Sequence, residues 1–203
     1  ALAREPDNPL VLALRGELQL VAGDIAGAME SLDAAIAKGP SAEAFFARAI
    51  ARARVGNAPA AKADLLQADK ISPLSDPVVA TSRHRLLARS SETAASAAVE
   101  QLRALLQRAM QDRTAPALEG ALSGLLGPSD ALSALLESVP PPARHKTSSQ
   151  RLLLALKLLS QSISGLQKYL KSPDDEALNE ATINLGEASR TLTSARDLFK
   201  SEL

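Results

Sequence analysis

The sequence predicts an all-α chain, and three observations carry that expectation. One set of residues recurs 33 positions apart with the internal spacing of a helix face. Two later runs place Leu and Ala in alternating steps of four and three. No segment alternates Val, Ile or Thr between turn residues, as a strand would. Hydrophobic residues make up 46% of the 203 positions but aromatics only 2%, so the expected core is aliphatic, mainly Leu and Ala, side chains that lose little entropy in a helix.

The recurrence sets the first elements. Gly23, Ala28, Leu32, Ala35 and Pro40 reappear as Gly56, Ala61, Leu65, Ala68 and Pro73. A helix must end and turn at each glycine, and Asp24 and Asn57 follow as turn formers. The Ala-Leu-Ala set then lies on one face of a second helix. Each proline stops that helix, because the residue before a proline is pushed out of the helical region. This gives two helix pairs, residues 8–40 and 41–73.

These residues, with Gly16 and Ala49 as small positions in the first helices, resemble the tetratricopeptide repeat family. The large position near the start of the first helix is Leu12 in one unit and Phe45 in the other, while Gln19 and Arg52 stand where the family has a tyrosine-like residue. Two weaker units continue the series. Residues 75–112 offer Ala95, Val99 and Leu102, with Ser90-Ser91 in place of the turn glycine. In residues 113–142, Gly120 and Gly127 echo Gly16 and Gly23, while Leu135 and Pro140-Pro141-Pro142 echo Leu32 and Pro40. Stacking of about three or more units is expected, since one alone cannot bury its apolar face. The segment SVPPPARH, residues 138–145, is similar to the repeat region that follows the kinase domain in the actinobacterial protein kinase G family.

Residues 143–203 predict a helical hairpin. Leu152, Leu156, Leu159, Ile163, Leu166 and Leu170 form one seam; Leu178, Ala181, Leu185, Ala188, Leu192, Ala195 and Phe199 form the other. Ser172-Pro173-Asp174-Asp175 separates them with a cap, a first-turn proline and helix-start acids. Antiparallel pairing sets Leu166 on Ala181, Ile163 on Leu185, Leu159 on Ala188, Leu156 on Leu192 and Leu152 on Ala195, large against small in alternate layers. Leu154 and Leu158 lie off this seam and need a second surface, either the last repeat of the same chain or a dimer partner or bound protein.

Little in the sequence points to catalysis. Phosphate-loop, dinucleotide and nucleophile-elbow patterns are missing, and no cofactor is implied. There is no cysteine, and His84 and His145 stand apart without metal-ligand spacing, so both are expected on the solvated surface. Gly120, Gly124 and Gly127 follow no strand and suit helix packing better than a phosphate loop. With 23 basic and 23 acidic residues the formal charge is zero, which argues against nucleic acid as a partner. Arg144, Lys146, Arg151, Lys157, Lys168 and Lys171 form a basic run, read as complementing the acidic second arm of the hairpin. No stretch is apolar enough for a membrane span. The chain begins at Ala1 without a leader pattern, so a piece of a longer cytoplasmic protein is expected.

The family resemblance implies a concave groove lined by first helices. It maps Leu10, Ala13, Glu17 and Leu20 to the groove from unit one and Phe46, Ile50 and Arg54 from unit two. These positions are mainly apolar, where family members that clamp a peptide carboxylate carry Lys and Asn. The expected partner is therefore an apolar or amphipathic segment of another protein, with Phe46 and Ile50 as anchors. The expectation is a non-enzymatic scaffold or adaptor. The alternative is a regulatory domain of a larger enzyme, such as a protein kinase.

Overall fold

The computed structural model describes residues 8–112 and 117–201. Among them lie eight α-helices and no strand: α1 (Pro9–Ala22), α2 (Ile25–Lys38), α3 (Ala42–Arg54), α4 (Ala58–Ile71), α5 (Pro77–Gln111), α6 (Ala117–Ser138), α7 (Lys146–Lys171) and α8 (Asp175–Ser201). A single 3-10 turn, Ala143–His145, leads into α7.

Short polar side chains start the first five helices by accepting orphan amides. Asn8 caps α1, Asp24 caps α2, Ser41 caps α3, Asn57 caps α4 and Asp76 caps α5. Gly23 and Gly56 are the two residues with positive φ among those described, at 88° and 78°, and they turn α1 into α2 and α3 into α4. Helices α1 and α2 approach closely because Gly16 has no side chain: a β-carbon there would stand 2.5 Å from Leu32 Cγ. The buried faces of α2 and α4, with Ala28, Leu32 and Ala35 in one and Ala61, Leu65 and Ala68 in the other, repeat at the same spacing.

Two expected units are not helix pairs. Residues 77–111 form one helix of 35 residues, roughly 50 Å long, with Ser90 and Ser91 buried at its middle. Serine costs a helix little, and neither a glycine to take a left-handed turn nor a proline interrupts the run. Leu87, Ala88, Ala95, Val99 and Leu102 carry one buried face straight through the expected turn. Residues 117–138 are likewise one helix, with Gly127 and Pro128 inside it. The turn expected at Gly127 does not occur. That glycine serves a close approach instead: a β-carbon on Gly127 would lie 3.4 Å from the Gly56 Cα. The expected links around residues 113–116 lie outside the described residues.

Helices α7 and α8 form the hairpin. Leu152, Leu156, Leu159, Ile163 and Leu166 are buried with Ala181, Leu185, Ala188, Leu192 and Ala195. Ser162 Oγ donates to the Ala181 carbonyl at 2.6 Å, which the small residues along this seam permit. The hairpin also packs on α5 and α6, so one buried cluster runs from Leu12 to Ala195. Of the two off-seam leucines, Leu158 packs partly against this core, and Leu154 remains 49% exposed. In the basic run, Lys157 pairs with Glu137 of α6, Lys168 with Asp174, and Arg151 donates to Ser194. No helix among the described residues is long and apolar enough to cross a membrane.

Candidate functional sites

The expected groove is filled by the chain itself. Helix α5 lies against α1 and α3, and Ala13, Leu20, Phe46 and Ile50 are all buried at 5% exposure or less. The anchor role expected for Phe46 and Ile50 is thereby corrected: both are core. The cause is the unbroken α5, which a helix pair with a turn at Ser90 would not have laid along this face. Phe45, the large position near the start of the second unit's first helix, is the less buried neighbour and sits 5.5 Å below the Arg48 guanidinium.

The charged members of the groove have structural partners. Arg54 donates to the Leu20 carbonyl at 3.0 Å, placing a cation at the negative end of the α1 dipole. Arg83, absent from the expected site, does the same for α4. It donates to the Ser72 carbonyl at 2.8 Å, reaches the Ala68 carbonyl at 3.5 Å, and lies 5.5 Å from the Phe46 ring centre. Burial lowers the pKa of both guanidiniums; Glu43 and Asp69 oppose the shift at Arg83. Arg48 binds Asp64 through two nitrogens at 2.8 Å and Asp33 at 2.7 Å, and Arg52 adds a second cation to Asp64, so α2, α3 and α4 are held by one ionic cluster.

Glu17 is partly buried beside this region. Burial, and secondarily the charge of Glu43, raise its pKa above the usual carboxylate range. A raised acid pKa means the folded state holds the proton more tightly than the unfolded chain, so stability falls as pH rises from the unfolded value through the folded one. Glu17→Gln should therefore melt higher than the unchanged chain at neutral pH. The difference should shrink as pH falls through the unfolded-state value of about 4.3 and vanish about a unit below it, where the carboxyl is protonated in both the folded and the unfolded chain. Urea titrations at the two pH values check this; an equal gap at both would show that ionisation is not the cause.

Leu10 is the exception among the groove residues. It is 71% exposed, and it shares the outer face of α1 with Leu14, Leu18 and Val21, which are 49%, 56% and 41% exposed. Steps of four, four and three keep these four aliphatics within one sector, opposite buried Leu12, Gly16 and Leu20. The signal was present in the sequence: α1 is apolar on nearly all sides, and assigning one face to the groove left the other unexplained.

A second feature lies between α5 and α8. A cavity of about 230 Å³ is lined by His84, Arg85, Ala88, Arg89, Glu92, His145, Arg196, Phe199 and Lys200. The histidines are not on the solvated surface. His84 is 1% and His145 4% exposed, and their rings stack at 6.3 Å. His84 Nε2 shares a hydrogen bond with Ser149 Oγ at 2.6 Å, and His145 meets the Phe199 ring at 5.9 Å. Arg196 ties the helices together by donating to Glu92 at 2.5 Å and Ser96 at 2.8 Å. Sequence reading missed this cluster because its members lie on separate helices. The readable part was Arg85 and Arg89, one turn apart, once α5 is taken as unbroken. Among the described residues no three His, Asp or Glu side chains converge as a metal site.

Compared with known protein families, curated proteins and solved structures, the chain gives no match.

Proposed function

We propose that the chain is a protein-interaction scaffold that docks an amphipathic helix of a partner protein on the outer face of α1. The observation that carries this reading is the stripe Leu10, Leu14, Leu18 and Val21, four exposed aliphatics on one helix face. It spans three turns, about 16 Å, the length over which a docked helix presents anchors at i, i+4 and i+7. Contiguous exposed apolar surface of this kind marks contact sites, whereas single exposed leucines are ordinary. The repeat residues that resemble the tetratricopeptide family support the same class of function. A regulatory domain of a larger enzyme is the form this reading takes when the docked helix belongs to the same polypeptide.

Leu14→Asp combined with Leu18→Asp should leave the melting temperature near that of the unchanged chain, since both side chains already meet solvent. A partner recovered with the unchanged chain should be lost with the double variant. Equal recovery by both, or recovery of no partner at all, would overturn the reading.

A further inference from the structure

We propose that the cavity between α5 and α8 is a binding site for a small molecule that carries one anionic group, carboxylate or phosphate, on an apolar body. Four of the lining residues are basic, Arg85, Arg89, Arg196 and Lys200, and one is acidic. That acid, Glu92, is engaged by Arg196. Arg85, Arg89 and Lys200 are exposed at the mouth and have no ion-pair partner among the described residues. The whole chain has zero formal charge, so this is a local concentration of cations rather than a general excess. With Glu92 engaged by Arg196, these cations face no other acid among the described lining residues, and an arriving anion offsets their mutual repulsion while gaining charge-assisted hydrogen bonds. A guanidinium fork suits the two oxygens of either a carboxylate or a phosphate.

The interior supplies the second half of the recognition. Ala88 and Phe199 are apolar, and the stacked faces of His84 and His145 close the inner side. An aromatic or branched aliphatic body can therefore lie against rings while its anion stays at the mouth. The volume, about 230 Å³, falls just below the ~300–1,000 Å³ of common ligand pockets, which favours a compact molecule over a peptide strand. The site shares no residue with the α1 stripe, and either can stand without the other.

The experiment uses the whole chain and four probes: phenyl phosphate, phenylacetate, inorganic phosphate and benzyl alcohol. Binding is read from NMR shifts of the His84, His145 and Phe199 ring signals during titration. At least one aromatic anion should bind saturably, and the tighter of the two identifies phosphate or carboxylate as the preferred group. Inorganic phosphate, which lacks the body, and benzyl alcohol, which lacks the charge, should each bind about tenfold more weakly or worse. Arg85→Ala with Arg89→Ala should weaken the aromatic anion by a similar factor while leaving the melt unchanged, since both side chains are exposed. If the double variant melts early, Arg89→Ala alone provides the same comparison. The proposal is overturned if neither aromatic anion shifts those rings, if the arginine variant binds as the unchanged chain does, or if inorganic phosphate binds as tightly as phenyl phosphate.

Discussion

Phe46→Ala should cost the chain about 3–5 kcal/mol of stability, the usual range for removing a fully buried phenylalanine. Phe46 is the largest side chain in the core at under 2% exposure, and it is wedged where α3 meets α5. Its truncation removes more than apolar contact. The buried Arg83 guanidinium lies over this ring while it holds the carbonyls at the end of α4, so the loss also loosens the α4 terminus. For a chain of 203 residues this amounts to a fall in melting temperature of roughly 10 °C. Phe45→Ala should cost distinctly less, because Phe45 is only half-buried and its contact with Arg48 is partly exposed to water. Thermal and urea unfolding of the two variants decides the matter. Equal losses, or a larger loss for Phe45, would place α5 somewhere other than over the α1 and α3 faces.

Gly56→Ala should be the more damaging of a matched pair with Gly23→Ala. Both glycines hold a left-handed φ, which an alanine adopts only at a cost of about 1–2 kcal/mol. At Gly23 that is the whole effect, because a new β-carbon meets nothing within 4 Å. At Gly56 the β-carbon would stand 3.1 Å from the Gly127 carbonyl carbon, 3.2 Å from its Cα and 3.2 Å from Pro128 Cδ. Those are backbone and ring atoms of α6, so no side chain can rotate away. Overpacking of this kind adds about 1–3 kcal/mol. The difference between the two urea midpoints therefore isolates the contact between the α3–α4 turn and α6. Equal midpoints would mean that α6 does not rest on that turn.

What the sequence made legible was local. The 33-residue recurrence located α1 to α4 and their turns, since a glycine turn, a polar cap and an Ala-Leu-Ala face are all written within one unit. The hairpin seam was equally readable from its heptad spacing. Extending the repeat into residues 75–142 failed for a physical reason. Echoed positions do not stop a helix; only residues that leave the helical region do, and Ser90-Ser91 cannot. Gly127 could have turned the chain but serves close packing against Gly56 instead, a pairing that no local pattern records.

The groove was misread for the same cause. Whether a concave face is empty depends on where a later helix returns, and α5 returns across it. Arg83 carries the consequence. In sequence it is one base beside His84, whereas in the fold it caps α4 and covers Phe46. The two histidines read as solvated because they stand apart in sequence without metal-ligand spacing, yet helix periodicity turns His84 inward while Arg85 faces out. The α1 stripe was visible but divided: Leu10 was assigned to the groove while Leu14, Leu18 and Val21 were left without a role.

On this reading the partner lies on the outer face of α1 and not in the face that α5 fills. The chain has no cysteine, so Leu14→Cys, Leu18→Cys and Ile183→Cys each introduce a single thiol, the last on exposed surface of α8. The measurement is the rate of maleimide labelling at each position, with and without the partner that the unchanged chain recovers. Bound partner should slow labelling at 14 and 18 and leave 183 at its free rate. Free-rate labelling at 14 and 18 while the partner is bound would contradict it.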